Sequence, residues 1–132
     1  MENQCPFCTM NESAIIMKND TCYAVYDIFP ATEGHVLVIP FRHSASFFDY
    51  TKDEVANMWD LVNECKKYLD DKYAPNGYNI GMNIGESAGQ TVFHLHIHII
   101  PRRKGDVENP RGGIRHAVKG KGDYKMKGNS ER

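Results

Sequence analysis

The sequence predicts an α+β domain, a mostly antiparallel sheet with one helix packed against it. Three observations carry that expectation. His94-Leu95-His96-Ile97-His98-Ile99-Ile100 alternates imidazole with aliphatic side chains, the period-two pattern of a half-buried strand. Val55, Met58, Val62, Cys65 and Leu69 recur at steps of three and four, one apolar stripe of a helix. The signals as a whole run strand, strand, strand, helix, strand, strand.

A chain of 132 residues holds one domain of ordinary size. Its net charge of −1 gives no general attraction for nucleic acid or an anionic membrane. The longest aliphatic runs, such as Val36-Leu37-Val38-Ile39, are too short to span a bilayer. Met1-Glu2-Asn3-Gln4 has neither the basic start nor the apolar stretch of a signal peptide. The expected location is therefore cytoplasmic, where thiols stay reduced, so the four cysteines read as metal ligands or core residues rather than disulfides.

Cys5-Pro6-Phe7-Cys8 comes first, and one such pair cannot complete a four-ligand zinc site. Ala14–Met17, Asn19-Asp20 and Thr21–Tyr26 read as a hairpin, with Cys22 in its core. Asp27-Ile28-Phe29-Pro30 breaks the pattern. His35–Pro40 follows as a strand covered on both faces. Phe41-Arg42-His43 leads away as a loop. Thr51-Lys52-Asp53-Glu54 is a capping box that opens the helix, whose stripe takes in Cys65 as core. Pro75-Asn76-Gly77 turns into a strand over Tyr78–Ile84. A Gly- and Ser-bearing loop then delivers the chain into the histidine strand, the two pairing antiparallel. Pro101, lacking an N–H, is expected to end that strand. Residues 1–101 form the domain. Residues 102–132 are a basic, Gly-rich extension, either solvated or folded over the site or against a second subunit, with His116 an exposed tail residue.

On the strand, Leu95, Ile97 and Ile99 enter the core while His94, His96 and His98 share the other face, about 6.5–7 Å apart. Three imidazoles in a row are hard to explain as packing. They fit a metal site, or nucleophilic and acid–base chemistry on an anion. The strand by itself leaves both open.

His94–Ile100 resembles, without departure, the signature of the histidine triad (HIT) family. Asp27–Pro30, Gly34–Pro40, His43, Asn83–Glu86 and Gly89–His94 resemble its other landmarks in order. The resemblance covers roughly residues 5 to 101 and implies a HIT-like fold with a five-stranded, mostly antiparallel sheet. It implies a homodimeric nucleotide hydrolase or nucleotidyl transferase acting on a purine nucleotide, a dinucleoside polyphosphate or a nucleoside phosphoramidate. The alternative is a nucleotide-binding regulatory module with little turnover.

By the same resemblance His96 is the nucleophile that forms a covalent nucleotidyl-histidine, His98 donates to phosphate or leaving group, and His35 holds the cluster. Asp27 would bind the ribose, Asn83, Gln90 and Thr91 would contact the phosphate, and Ile28 and Phe7 would wall the base. Branches with an N-terminal Cys-x-x-Cys imply a structural Zn2+ held here by Cys5, Cys8, His43 and His94. The extension beyond His98 resembles zinc-containing microbial members rather than the short-tailed phosphoramidase branch, which leaves the leaving group open.

Overall fold

The computed structural model describes residues 5–124. One antiparallel sheet carries five strands in the order β1-β2-β3-β5-β4, with a single α-helix against one face. β1 (Ile15–Lys18) and β2 (Cys22–Tyr26) form the expected hairpin. Asn19 closes it, its side-chain oxygen accepting from the amides of Thr21 and Cys22 at 3.1 and 3.0 Å.

β3 (Val36–Pro40) lies between β2 and β5 and is buried throughout. Val36 and Val38 pack towards the helix, whereas Leu37 and Ile39 join Tyr23, Val25, Phe7 and Met10 on the other face. An unbroken apolar strand needs cover on both sides, and this one has it.

α1 (Lys52–Tyr73) begins at the capping box: Thr51 Oγ1 accepts from the Glu54 amide, and the Glu54 carboxylate accepts from the Thr51 amide. Its stripe buries Met58, Leu61, Val62, Cys65 and Leu69 against Val36, Val38, Leu95, Ile97 and Ile99. Cys22 and Cys65 are core thiols as expected, and burial pushes them up to about 11 and about 12. Ahead of the helix, Arg42 donates to both carboxylate oxygens of Glu54 at 2.7 and 2.8 Å and to the Asp49 carbonyl at 3.0 Å. That clamp ties the residue before His43 to the helix start.

β4 (Gly77–Gly81) and β5 (Ile97–Arg102) pair antiparallel from Gly77↔Arg102 to Gly81↔His98. Both differ from the sequence expectation. β5 begins at Ile97, because residues 91–96 leave the ladder: the Leu95 amide donates to the Ser44 carbonyl and the His94 ring bonds the Pro40 carbonyl. β4 stops at Gly81, whose pairing with His98 is the last of that ladder.

Nor does Pro101 end β5. The Arg102 carbonyl accepts from Asn76 on the β4 side, so the intervening Pro101 faces the β3 side. There β3 has already ended its pairing at Val36↔Ile99, and the Pro101 carbonyl accepts from Thr32 Oγ1 instead. No ladder donor is needed at that position.

Residues 102–124 follow, with a short 3-10 turn at Gly113–Ala117. Lys125, Lys127 and Arg132 of the basic extension lie outside the described residues. Among the described residues, no helix is long and apolar enough to cross a membrane.

Gly34 precedes the buried His35, has φ +91°, and a Cβ there would sit 3.0 Å from two ring carbons of Tyr73. Gly34→Ala should therefore cost about 1–3 kcal/mol of unfolding free energy in urea titration. Gly77→Ala, with nothing within 4 Å of the added carbon, should cost less than about 1 kcal/mol.

Candidate active site and metal centre

Two clusters of polar side chains stand on either side of the start of β5. The first consists of Cys5, Cys8, His43 and His94, whose ligand atoms all lie within 4.8 Å of one another. Cys5 Sγ and Cys8 Sγ are 3.4 and 3.6 Å from His94 Nδ1, Cys8 Sγ is 3.2 Å from His43 Nδ1, and the two Nδ1 atoms are 3.0 Å apart. Tetrahedral zinc with bonds of about 2.0–2.3 Å places its ligand atoms about 3.3–3.8 Å apart. Two of the four separations fall in that range and the other two just below it, so small outward shifts of the rings fit the four residues to a metal ion of that kind.

The donor set has the right protonation as well. His94 is fully buried and its Nε2–H donates to the Pro40 carbonyl at 2.7 Å, which leaves Nδ1 with a free lone pair. Two facing lone pairs at 3.0 Å repel unless a proton or a cation lies between them. Two Cys and two His leave no open coordination position, the arrangement of a structural site.

The second cluster has its protons fixed by a chain of hydrogen bonds. The Ala31 amide donates to His35 Nδ1 at 2.9 Å, so the His35 proton resides on Nε2. That N–H donates to His98 Nδ1 at 2.9 Å, which places the His98 proton on its own Nε2. His96 is set the opposite way: its Nδ1–H donates to the His94 carbonyl at 2.8 Å, leaving a lone pair on Nε2. One ring is thereby prepared to attack and its neighbour to donate.

Burial lowers His98 to about 4, with repulsion from His96 and His35 adding to it and Asp27 opposing. Burial also lowers His35, again opposed by Asp27, whose Oδ2 lies 3.5 Å from His35 Nε2. Asp27, His35 and His98 group closely enough to suggest a second metal site. The Ala31 hydrogen bond argues against it, because His35 would need lone pairs on both ring nitrogens at once.

A cavity of about 670 Å3 opens over these rings. Pro6, Phe7, Thr9, Met10 and Asn11 form one wall, and Asp27, Ile28 and Phe29 belong to the chain leaving β2. Asn83, Gly89, Thr91, His96 and His98 also line it. A shallower groove of about 360 Å3 shares His98 and Asn83 with the cavity and is flanked by Asn79, Ile100 and Ile114.

A family model described as the HIT domain matches residues 9–105. The chain belongs to the HIT family. A Dictyostelium discoideum relative named bis(5'-adenosyl)-triphosphatase is 35% identical over 100 residues, covering 76% of this chain and 67% of that protein. A Mycobacterium tuberculosis relative named AP-4-A phosphorylase is 32% identical over 97 residues, covering 73% of this chain and 50% of the relative. The match thus spans half the length of that mycobacterial protein.

Among HIT structures, one from Bacillus subtilis superposes with a TM-score of 0.72 at 37% identity, covering 79% of this chain and 77% of that one. A zinc-bound HIT protein from Mycobacterium smegmatis gives 0.65 at 36% identity, covering 70% and 68%.

The HIT fold gathers most of the residues singled out from sequence. Asp27, Ile28, Asn83, Thr91, His96 and His98 line one cavity, together with Phe7. His35, nearly inaccessible, stands behind His98 rather than in that cavity. Asp27 Oδ1 also accepts from the Phe29 amide at 2.9 Å, in the turn that follows β2.

Gln90 is the correction. It is buried, its amide donates to the Ala45 and Val92 carbonyls, and its oxygen accepts from the Gly85 amide. With its side-chain hydrogen bonds spent bracing the loop, it does not line the cavity.

Sequence reasoning missed Thr9, Met10, Asn11 and Phe29 as cavity residues. The position of the Cys pair beside His94 was the available signal for the first three, and adjacency to Ile28 for the last. Nothing in the sequence marked the Ala31 amide.

The tautomers are directly measurable. Long-range 1H–15N spectra of the histidine rings should show Nε2–H for His35 and His98 and Nδ1–H for His96, and Ala31→Pro should scramble the first two.

Linkage follows from the lowered His98 value. An unfolded histidine takes its proton near pH 6.5, and the folded one does so only near pH 4. Stability should fall as pH drops through that window and be unaffected by this group above it. His98→Gln should shallow the decline in urea titrations.

Proposed function

We propose that this HIT protein is a nucleotide hydrolase that cleaves at the α-phosphate of a purine nucleotide through a covalent nucleotidyl-histidine. One observation carries the proposal. The ring with the free Nε2 lone pair, His96, lines the same cavity as Asp27, a carboxylate able to accept from both ribose hydroxyls. The relatives named for cleaving or phosphorolysing diadenosine polyphosphates support the substrate class.

In this reading the His96 Nε2 lone pair forms a bond to the α-phosphorus while the bond to the leaving group breaks, its electron pair departing with that group. Water then attacks the same phosphorus and returns the lone pair to His96, releasing a nucleoside monophosphate. Two displacements replace one harder one. The His94 carbonyl favours the first step, because it holds Nδ1–H as positive charge develops on the ring. His98, neutral above about pH 4, offers its Nε2–H to a phosphoryl oxygen. Thr91 and Asn83 line the same end of the cavity and supply further donors.

A structural Zn2+ on Cys5, Cys8, His43 and His94 belongs to the same proposal, supported by the ligand geometry and the zinc-bound relative. So does a cytoplasmic homodimer. β4 is an edge of the sheet among the described residues, and Trp59 on α1 is 39% exposed.

His96→Ala should lose at least about a thousandfold in kcat on dinucleoside polyphosphates and nucleoside phosphoramidates while still binding nucleotide. Wild-type turnover by that variant would sink the mechanism, and an inert wild type that binds nucleotide would favour the regulatory module. Asp27→Ala should raise KM for ribonucleotides about tenfold or more, the worth of a charged hydrogen bond, and lose discrimination against dideoxy analogues. Elemental analysis should find about one zinc per chain, as a closed four-ligand site holds. Sedimentation showing only a 15.0-kDa species would refute the dimer.

A further inference from the structure

We propose that the metal clamp and the nucleotide cavity form one thermodynamic unit joined through Phe7, so that metal occupancy sets nucleotide affinity and bound nucleotide tightens metal by the same factor. This rests on the zinc and nucleotide readings above and adds the coupling between them.

Three contacts carry it. Phe7 lies between the two cysteines, and its ring stands edge-on to both His94 and His96, at centroid distances of 5.9 and 5.0 Å and interplanar angles of 84° and 70°. It touches a ligand of the metal centre and the attacking ring together, and it lines the cavity. His94 itself spans the two sites: Nδ1 belongs to the clamp while its backbone carbonyl holds His96 Nδ1–H. The residues after Cys8, Thr9 to Asn11, continue the cavity wall that Pro6 and Phe7 begin.

That wall lies outside every strand of the sheet. Besides the apolar packing of Phe7 and Met10, a hydrogen bond from Tyr23 Oη to the Phe7 carbonyl at 2.6 Å ties it to β2. Its position therefore depends strongly on the two thiolates. Nucleotide binding to protein with an empty clamp has to order the wall first, and protein with a filled clamp has already done so. Coupling of that kind is reciprocal by thermodynamic necessity. Phe7 acts as a positioning residue for His96 and as the link between sites.

The test uses zinc-loaded protein and AMP, a product that does not turn over. Zinc affinity is measured by chelator competition with and without saturating AMP, and AMP affinity by calorimetry with and without zinc. Each should change about tenfold, or 1.4 kcal/mol, and by equal factors. Zinc-loaded Phe7→Ala should keep one metal per chain and its circular dichroism, yet at AMP concentrations that saturate it show a much smaller effect of AMP on zinc affinity. Equal zinc affinity with and without AMP in wild type overturns the proposal, as does full coupling in Phe7→Ala. Protein that takes up no zinc refutes the metal reading and the coupling with it. Zinc-loaded protein that ignores AMP refutes the nucleotide reading in the same way.

Discussion

His94 is the residue on which the site is hung. It is wholly buried, and three of its polar atoms are committed in three directions: Nε2–H to the Pro40 carbonyl, Nδ1 to the Cys5–Cys8–His43 group, and the backbone carbonyl to His96. A buried imidazole without partners would be costly, so each commitment constrains the others. The end of β3, the N-terminal segment and His96 are located by one side chain. The same commitments explain why the ladder of β5 starts only at Ile97: the ring has taken over the hydrogen bond that a strand backbone would have made.

Downstream, the chemistry depends on where protons sit rather than on which residues are present. His96 and His98 are two residues apart and share a cavity, yet they carry opposite tautomers because a carbonyl faces one and a lone pair is forced on the other. A backbone N–H at Ala31 is the origin of the second pattern. Burial reinforces it by keeping His98 neutral far below the ordinary histidine range. The arrangement also separates the two metal-capable clusters, since the one containing Asp27 has spent the lone pair that a metal would need.

The cavity has walls of different origin. Asp27, Ile28 and Phe29 come from the chain leaving the sheet, with Ile28 and Phe29 more than four-fifths exposed for want of a contact beyond. The opposite wall comes from the N-terminal segment, which is held by the Cys5–Cys8–His43–His94 group and a few packing contacts rather than by a ladder. One wall is thus continuous with the sheet, and the other is held by side-chain contacts alone. The groove that meets it at His98 is bordered by Ile114 of the 3-10 turn, so part of the basic extension packs beside the site.

Sequence by itself determined the fold class, the hairpin, the doubly covered β3, the capped helix and its stripe, and the burial of Cys22 and Cys65. Each is written in local periodicity or in a cap signal. Resemblance to the HIT family then singled out residues that the structure brings together around His96 and at the Cys5–His94 group. Tertiary structure alone decided where β5 begins, that Gln90 braces a loop instead of facing the cavity, which nitrogen of each histidine carries its proton, and that Pro6, Thr9, Met10 and Asn11 join Phe7 in walling the cavity. Those outcomes depend on hydrogen-bond partners and packing neighbours from distant parts of the chain: Pro40 for His94, Ala45 for Gln90, the two cysteines for the wall. A side chain's type fixes what it can donate or accept, and only its folded neighbours decide which of those capacities remains free for chemistry.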